Sequence, residues 1–246
     1  KKVAEKMRKS KERFVYRVHD QPDQEKLKNL QTVVKRLGYN LKLSSNELND
    51  SLNSLLKKAF GKNEQNLIDT LMIRSMSKAE YTTKNIGHYG LSFENYTHFT
   101  SPIRRYPDVM VHRLIQAEID GEKIKTDETE TLCKHSTHME ILATKAERDS
   151  VKLMQIKFMK DKEGKTFDAV ISGVVARGVF VEVIENKCEG LVKAKDLPGD
   201  FYVHDEKNHR FVGEKTGKKY QLGDKTRVML IKADQIKKRL DFQVLT

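Results

Sequence analysis

The densest run of side chains able to bind or react is His98-Phe99-Thr100-Ser101-Pro102-Ile103-Arg104-Arg105-Tyr106-Pro107-Asp108. A proline biases the residue before it toward extended backbone, so Ser101 and Tyr106 are expected outside helix. That confines Arg104 and Arg105 to a short bend ahead of a helical segment. Thr100, Ser101 and Asp108 are residue types that accept hydrogen bonds from the free N–H groups of a helix start. A guanidinium fork binds phosphate oxygens in pairs, and a helix start favours the same negative charge. The chemistry available here is the gripping of a phosphate. The plainer alternative is a capped helix with two surface arginines. The clustering of proline, aromatic and hydroxyl residues around the pair favours the phosphate.

Other candidates are weaker. His135 and His138 stand three apart and could ligate a metal from one helix face. No converging carboxylate shares their spacing, so they read as a solvated or capping pair. Ser101 lacks the GxSxG context of a nucleophile. Glu147-Arg148-Asp149 reads first as a solvated helix face. No glycine-rich phosphate loop occurs in the sequence. Towards the C-terminus, Phe180 lies between Val179 and Val181. If the valines face inward, Phe180 points out as a stacking platform for bases, worth about 1–3 kcal/mol each. Arg177, Lys193, Lys237, Lys238 and Arg239 would supply charge around it. The competing reading buries Phe180 and slips the register by one.

The elements that must position these residues change character near Gly164. Before it, apolar residues recur at helical spacing. After VAEKMRKS at 3–10, a helix end, FVYRVH at 14–19 is a strand-like run. Leu27, Leu30, Val34 and Leu37 mark one helix, ended by Gly38. Leu48, Leu52, Leu55, Leu56 and Phe60 mark a second, stopped by Gly61. Leu67, Ile68, Leu71, Met72, Ser75, Met76 and Ala79 mark a third. Residues 81–107 have no sustained period and read as loops and short strands. A helix resumes with Met110, Leu114 and Ala117 on one face. Residues 127–160 read as one long helix through Leu132, Ser136, Met139, Leu142, Ala146, Leu153 and Met154. Beyond Lys165, alternation takes over at Phe167, Ala169 and Ile171 and at Val179, Val181 and Val183. A polar, hairpin-like excursion fills 199–220, and two closing strands follow. Five short strands in this space suit an OB-fold barrel.

Composition narrows the partners. The 246 residues carry a net charge of +12, with 33% charged and 37% hydrophobic residues. An isoelectric point near 9.5 makes a polyanion, nucleic acid first, the default partner. No apolar run approaches the roughly 20 residues of a membrane span, and a mean hydropathy of −0.66 argues the same way. Lone Cys133 and Cys188 in a lysine-rich chain imply no metal framework and point to a cytoplasmic location.

Residues 85–115, NIGHYGLSFENYTHFTSPIRRYPDVMVHRLI, resemble the signature region of the RNB catalytic module of the ribonuclease II/ribonuclease R family. RFVYRVHDQP at 13–22 and KAERDSVKLM at 145–154 resemble two further family segments in the right order. FDAVISGVVARGVFVEVIENKCEGLV resembles the S-one-type OB-fold that follows that module. The RRYPD wording and the basic tail lie nearer the ribonuclease R branch. Nearly the whole chain is covered, least well at 40–65. The resemblance implies an α+β chain, with 1–163 the mostly helical C-terminal part of an RNB domain and 164–246 an S-one-type OB-fold.

It also implies a function. Such enzymes thread single-stranded RNA into a channel and release nucleoside 5′-monophosphates processively from the 3′ end. Mg²⁺ held by an aspartate cluster activates the attacking water. By resemblance, Arg104 stabilises developing phosphate charge and Glu147 contacts the terminal nucleotide, with Arg105 and Tyr106 beside them at the channel wall. Arg177, Phe180, Lys193, Lys238 and Arg239 would hold RNA on the barrel. Lys193 stands where many S-one domains carry histidine, replacing stacking by charge there. This sequence has no aspartate cluster, so the Mg²⁺ ligands of the parent enzyme are expected upstream and the chain alone is expected to be inactive. Evolutionary loss of the metal site would leave the same pattern, and a non-catalytic RNA-binding OB-fold module with a helical partner domain is the alternative. RNA is the expected partner, with the ribosome and RNA-decay factors as further candidates and no membrane.

Overall fold

Glycine, proline and apolar spacing set the element boundaries in the computed structural model, which describes residues 1–9, 13–44, 47–62, 64–122 and 128–245. In chain order the elements begin with α1 (Lys2–Lys9), β1 (Tyr16–His19), α2 (Gln24–Arg36), α3 (Leu48–Ala59), α4 (Gln65–Ser75) and β2 (Ala79–Thr82). Next come the helices α5 (Tyr106–Asp120) and α6 (Thr129–Lys160). The β-rich remainder holds β3 (Thr166–Val175), β4 (Gly178–Val183), β5 (Glu189–Lys193), β6 (Tyr202–Asp205), β7 (Arg210–Gly213), β8 (Lys219–Gln221), β9 (Lys225–Asp234) and β10 (Arg239–Val244). Position 127 of the expected long helix and position 10 of the first segment lie outside the described residues. Among the described residues no helix is long and apolar enough to cross a membrane.

Two compact units result. The first comprises 1–24 and 75–146; the second comprises 25–74 and 147–246. In the first, β1 pairs antiparallel with β2, Tyr16 opposite Thr82 and Val18 opposite Glu80. Phe14, Val15, Tyr16 and Val18 are buried with Ala4 and Met7 of α1, Tyr81, the α5 residues Met110, Val111 and Leu114, and Cys133 of α6. Pairing starts at Tyr16, two residues later than the apolar run suggests, because Phe14 and Val15 fill the core ahead of the strand.

The second unit contains α2 to α4 and the barrel. Gly38 ends α2 with φ +84°, and the Tyr39 N–H reaches back to the Val34 carbonyl at 2.9 Å, a glycine-terminated helix end. Two expectations need correction here. Phe60 does not belong to the buried face of α3; it lies past the helix and is 77% exposed, while Ala59 takes the buried position. Helix α4 stops at Ser75, so Met76 and Ala79 do not extend its stripe, and Ala79 opens β2.

The barrel closes in the order β10-β5-β4-β3-β9. Closure depends on β5 and β10, the parallel pair, which meet at Asp241 and Leu191. A side chain on Gly190 would place its Cβ 2.5 Å from the Leu240 carbonyl oxygen and 2.6 Å from the Phe242 ring, so only glycine lets the two strands approach. Ala169, Ile171, Val179, Val181, Val183, Val192, Val228, Leu230, Leu240, Phe242 and Val244 fill the interior, with Ile156 and Met159 of α6 against them.

Residues 199–220 form three strands, not a hairpin: β6, β7 and β8 pair antiparallel. Alternate aromatics Tyr202, Phe211 and Tyr220 face the barrel core. Their period is hidden in the sequence by the intervening His and Lys. Asp200 pins the β7–β8 turn, accepting from the Thr216 N–H at 2.7 Å, the Thr216 hydroxyl at 2.7 Å and the Lys215 N–H at 3.0 Å. These bonds, the Thr216 N–H foremost, hold its carboxyl down at about 2.

Helix α6 departs most from its expected burial. Its ends are covered, by Cys133 in the first core and by Ile156 and Met159 in the second. Residues 141–150 are exposed throughout, and Met139, Leu142 and Met154 are 45%, 49% and 60% exposed. Apolar periodicity defines a face; it does not supply a cover for it.

Candidate nucleic-acid interface

In the first unit the site is built on the bend that leads into α5. Asp108 is wholly buried. Its Oδ2 accepts from the Ser101 backbone N–H at 2.7 Å and from Arg105 Nη2 at 2.8 Å. The Arg105 N–H also reaches the Ser101 carbonyl at 3.0 Å, closing the turn. One carboxylate therefore ties both ends of the Ser101–Arg105 segment together.

This corrects the sequence reading in three respects. Asp108 serves the turn upstream of the helix, and the N-cap position, Arg105, has no side-chain cap. Tyr106 is already helical despite preceding Pro107, since the proline lies in the first turn where a missing N–H costs nothing. The two guanidinium groups also do not act as a pair. Arg105 turns inward to Asp108 with 20% of its side chain exposed, while Arg104 is exposed and has no side-chain partner among the described residues. Tyr106 is 47% exposed at the start of α5.

Behind the bend lies a layer of rings. Tyr81 and His98 meet at 2.8 Å between the hydroxyl and Nδ1. Arg17 lies over the Tyr81 ring at 4.5 Å and forms a bidentate pair with Glu140 at 2.6 and 3.1 Å. Burial pushes the Tyr81 hydroxyl up to about 12. Burial, followed by the nearby Arg105 and Arg17, pushes His98 down to about 4. Phe99 stacks on His112 at 4.4 Å, and His112 Nε2 meets the Phe99 carbonyl at 2.8 Å. A cavity of about 280 Å³ opens beside His98, Thr100 and Arg105. Roles for Arg17 and Tyr81 were missed by sequence reasoning, and His98 was noted only as part of the dense run. The available signal was an arginine between two core residues of a short strand, Tyr16 and Val18.

On the barrel, the valines of β4 face inward and Phe180 is half-buried on the outer face. Its ring lies across Gly173, where an added Cβ would sit 3.4 Å away, and the Arg177 guanidinium stands 5.6 Å from its centroid. Phe180 pairs with Leu191 of β5. Beyond Leu191 a groove of about 530 Å³ is lined by Lys193, Lys232, Arg239, Asp241 and Gln243. Arg239 Nη2 contacts Asp241 at 3.3 Å. Lys238 is exposed in the β9–β10 turn with φ +49°. Of the barrel residues singled out by sequence, Lys193 and Arg239 share that groove, and Arg177 accompanies Phe180. Arg104 belongs to the first unit and Glu147 to the second, on the exposed stretch of α6.

A family profile described as the RNB domain matches residues 1–121, and the S1 RNA binding domain matches residues 160–245. Ribonuclease R of Aquifex aeolicus is 41% identical over 235 residues, covering 94% of this chain and 33% of that protein. The apo form of Mycoplasma genitalium RNase R superposes with a TM-score of 0.90 at 28% identity, over 99% of this chain and 39% of that one. The chain belongs to the ribonuclease R family. The same M. genitalium RNase R in complex with ribose-methylated single-stranded RNA matches with a TM-score of 0.88 at 29% identity, over 99% of this chain and 39% of that one. The chain spans about a third of the length of the curated ribonuclease R proteins it matches.

Among the described residues no three His, Cys, Asp or Glu side chains converge as metal ligands. His135 and His138 are exposed on α6, and the buried Asp108 has one oxygen committed to Ser101 and Arg105. These residues do not fit a resident Mg²⁺. What this chain does present is donors: an exposed guanidinium on a fixed bend and an aromatic, cationic barrel surface.

Proposed function

We propose that this chain is the RNA-holding part of a 3′-to-5′ exoribonuclease that hydrolyses single-stranded RNA to nucleoside 5′-monophosphates. Residues 1–163 would belong to the catalytic module and 164–246 to the S1-type OB-fold. The observation that carries the reading is Arg104: exposed, without a side-chain partner among the described residues, and projecting from a bend that the buried Asp108 fixes. A guanidinium left unpaired on a rigid support is preorganised for phosphate oxygens, and it loses little freedom on binding. Arg104 would stabilise charge developing on the scissile phosphate, and Glu147 would accept hydrogen bonds from the terminal nucleotide. Arg105 and Tyr106 would shape the wall beside them. Phe180 would stack a base further along the strand, flanked by Arg177, Lys193, Lys238 and Arg239. That RNA is bound by a relative of the same fold supports the assignment of ligand.

The test is Arg104→Ala in the longer enzyme. Turnover of oligo(A) should fall by about 10²–10³, the scale for losing one transition-state donor, with affinity changing far less. An equal loss in affinity, with turnover at saturation intact, would contradict the role.

A further inference from the structure

The cavity beside Arg105 contains donors for which neither the bend nor the barrel accounts. Four of its lining residues carry the argument: Tyr96, His98, Thr100 and Arg105. Each polar side chain among them can donate a hydrogen bond, and none is a carboxylate. Two carboxylates lie near this layer. Glu140 gives both oxygens to Arg17, and Asp108 gives Oδ2 to Ser101 and Arg105.

His98 is the informative member. Burial holds the Tyr81 hydroxyl at about 12, so it keeps its proton and can donate it to His98 Nδ1 across 2.8 Å. The imidazole is neutral at neutral pH, and in the tautomer whose Nδ1 accepts from Tyr81 its one proton sits on Nε2. Nε2 has no partner among the described residues. Arg105 commits Nη2 to Asp108 and leaves Nη1 without a partner among the described residues. The local field at His98 is positive, with Arg105 and Arg17 outweighing Asp108 and Glu140.

We propose that His98 and Arg105 form a phosphodiester-binding subsite, donating from Nε2 and Nη1 to the oxygens of one internal RNA phosphate, separate from the phosphate held by Arg104. The subsite rests on the RNA-holding reading for its ligand. Tyr81 acts through His98, as the residue that fixes which nitrogen donates.

The test measures oligo(A) affinity of the chain by fluorescence anisotropy, together with long-range ¹H–¹⁵N spectra of the histidine rings. His98→Ala and His98→Asn should weaken affinity about tenfold, the scale of one hydrogen bond to a charged group. His98→Gln, which returns an amide donor near the Nε2 position, should restore most of the loss. Thermal unfolding of each variant separates a binding loss from a folding loss. In the unsubstituted chain, oligo(A) and dimethyl phosphate should both move the His98 Nε2–H signal. Affinity that falls with Phe180→Ala but not with His98→Ala, with the His98 signals unmoved, overturns the subsite and leaves the RNA-holding reading standing. A chain that binds no oligo(A), while dimethyl phosphate still moves the Nε2–H signal, overturns that reading and supports the subsite.

Discussion

Asp108 shows how one buried residue can set the geometry of a site. Its carboxylate is wholly buried and holds both the Ser101 N–H and the Arg105 guanidinium. Asp108→Ala would leave a largely buried guanidinium unpaired, a loss on the order of 3 kcal/mol. Asp108→Asn keeps an acceptor oxygen and should cost about half of that. Urea unfolding of the two variants checks the ranking, and equal losses would mean that the charge, not the turn, is what matters. His98 sets a pH dependence in the same layer. Its folded value near 4 lies below the ordinary 6.5, so between those values the unfolded chain binds the extra proton. Stability is therefore full above about pH 6.5, falls as pH drops toward 4, and changes no further below it from this group. Burial lowers His88 and His209 too, so they add in the same direction. His98→Gln should flatten part of the acid slope in urea midpoints measured across that window.

At the scale of elements, the barrel depends on the contact between β5 and β10. Gly190→Ala would drive a Cβ to 2.5 Å from the Leu240 carbonyl, where backbone and not a flexible side chain must yield. A loss of about 2–3 kcal/mol is expected, at the upper range for overpacking. Thermal unfolding followed by far-UV circular dichroism would register it, and an unchanged midpoint would show that the barrel seam is loose. Sequence patterning anticipated this barrel well, because alternation at Val179, Val181 and Val183 reports burial directly. The helix α2 was equally legible, its stripe and Gly38 both local features. Elsewhere local signals failed for identifiable reasons. Phe60 is apolar but lies beyond the last turn, so hydrophobicity alone misassigned it. The aromatics of β6 to β8 were masked by charged neighbours. The Arg104–Arg105 bend was visible from its prolines, whereas the division of labour between the two arginines was not. That division depends on Asp108, whose spacing suggested a helix cap and whose bonds run upstream instead.

For the molecule as a whole, the net charge of +12 sets how RNA binding should respond to salt. Each phosphate neutralised on a single strand contributes a slope of about −0.7 to log K against log salt. Lys193 and Arg239 line the groove that includes Leu191, the cross-strand neighbour of Phe180, and Lys238 precedes Arg239 in the β9–β10 turn. Three independent phosphate contacts removed together would lower the slope by about 2. Arg239 shares its guanidinium with Asp241 at 3.3 Å, so part of its charge is already offset and a fall nearer 1.5 is expected, again from the per-phosphate slope. Lys57→Ala with Lys58→Ala on α3 removes two charges remote in sequence from this surface and serves as the control. Oligo(A) affinity measured from low to moderate KCl distinguishes the cases. If the control flattens the slope as much per charge as the barrel variant does, the whole basic surface is attracting the strand diffusely. If the barrel variant alone does so, and Phe180→Ala weakens binding without changing the slope, the surface is a docking site in which cations hold the backbone and one ring holds a base.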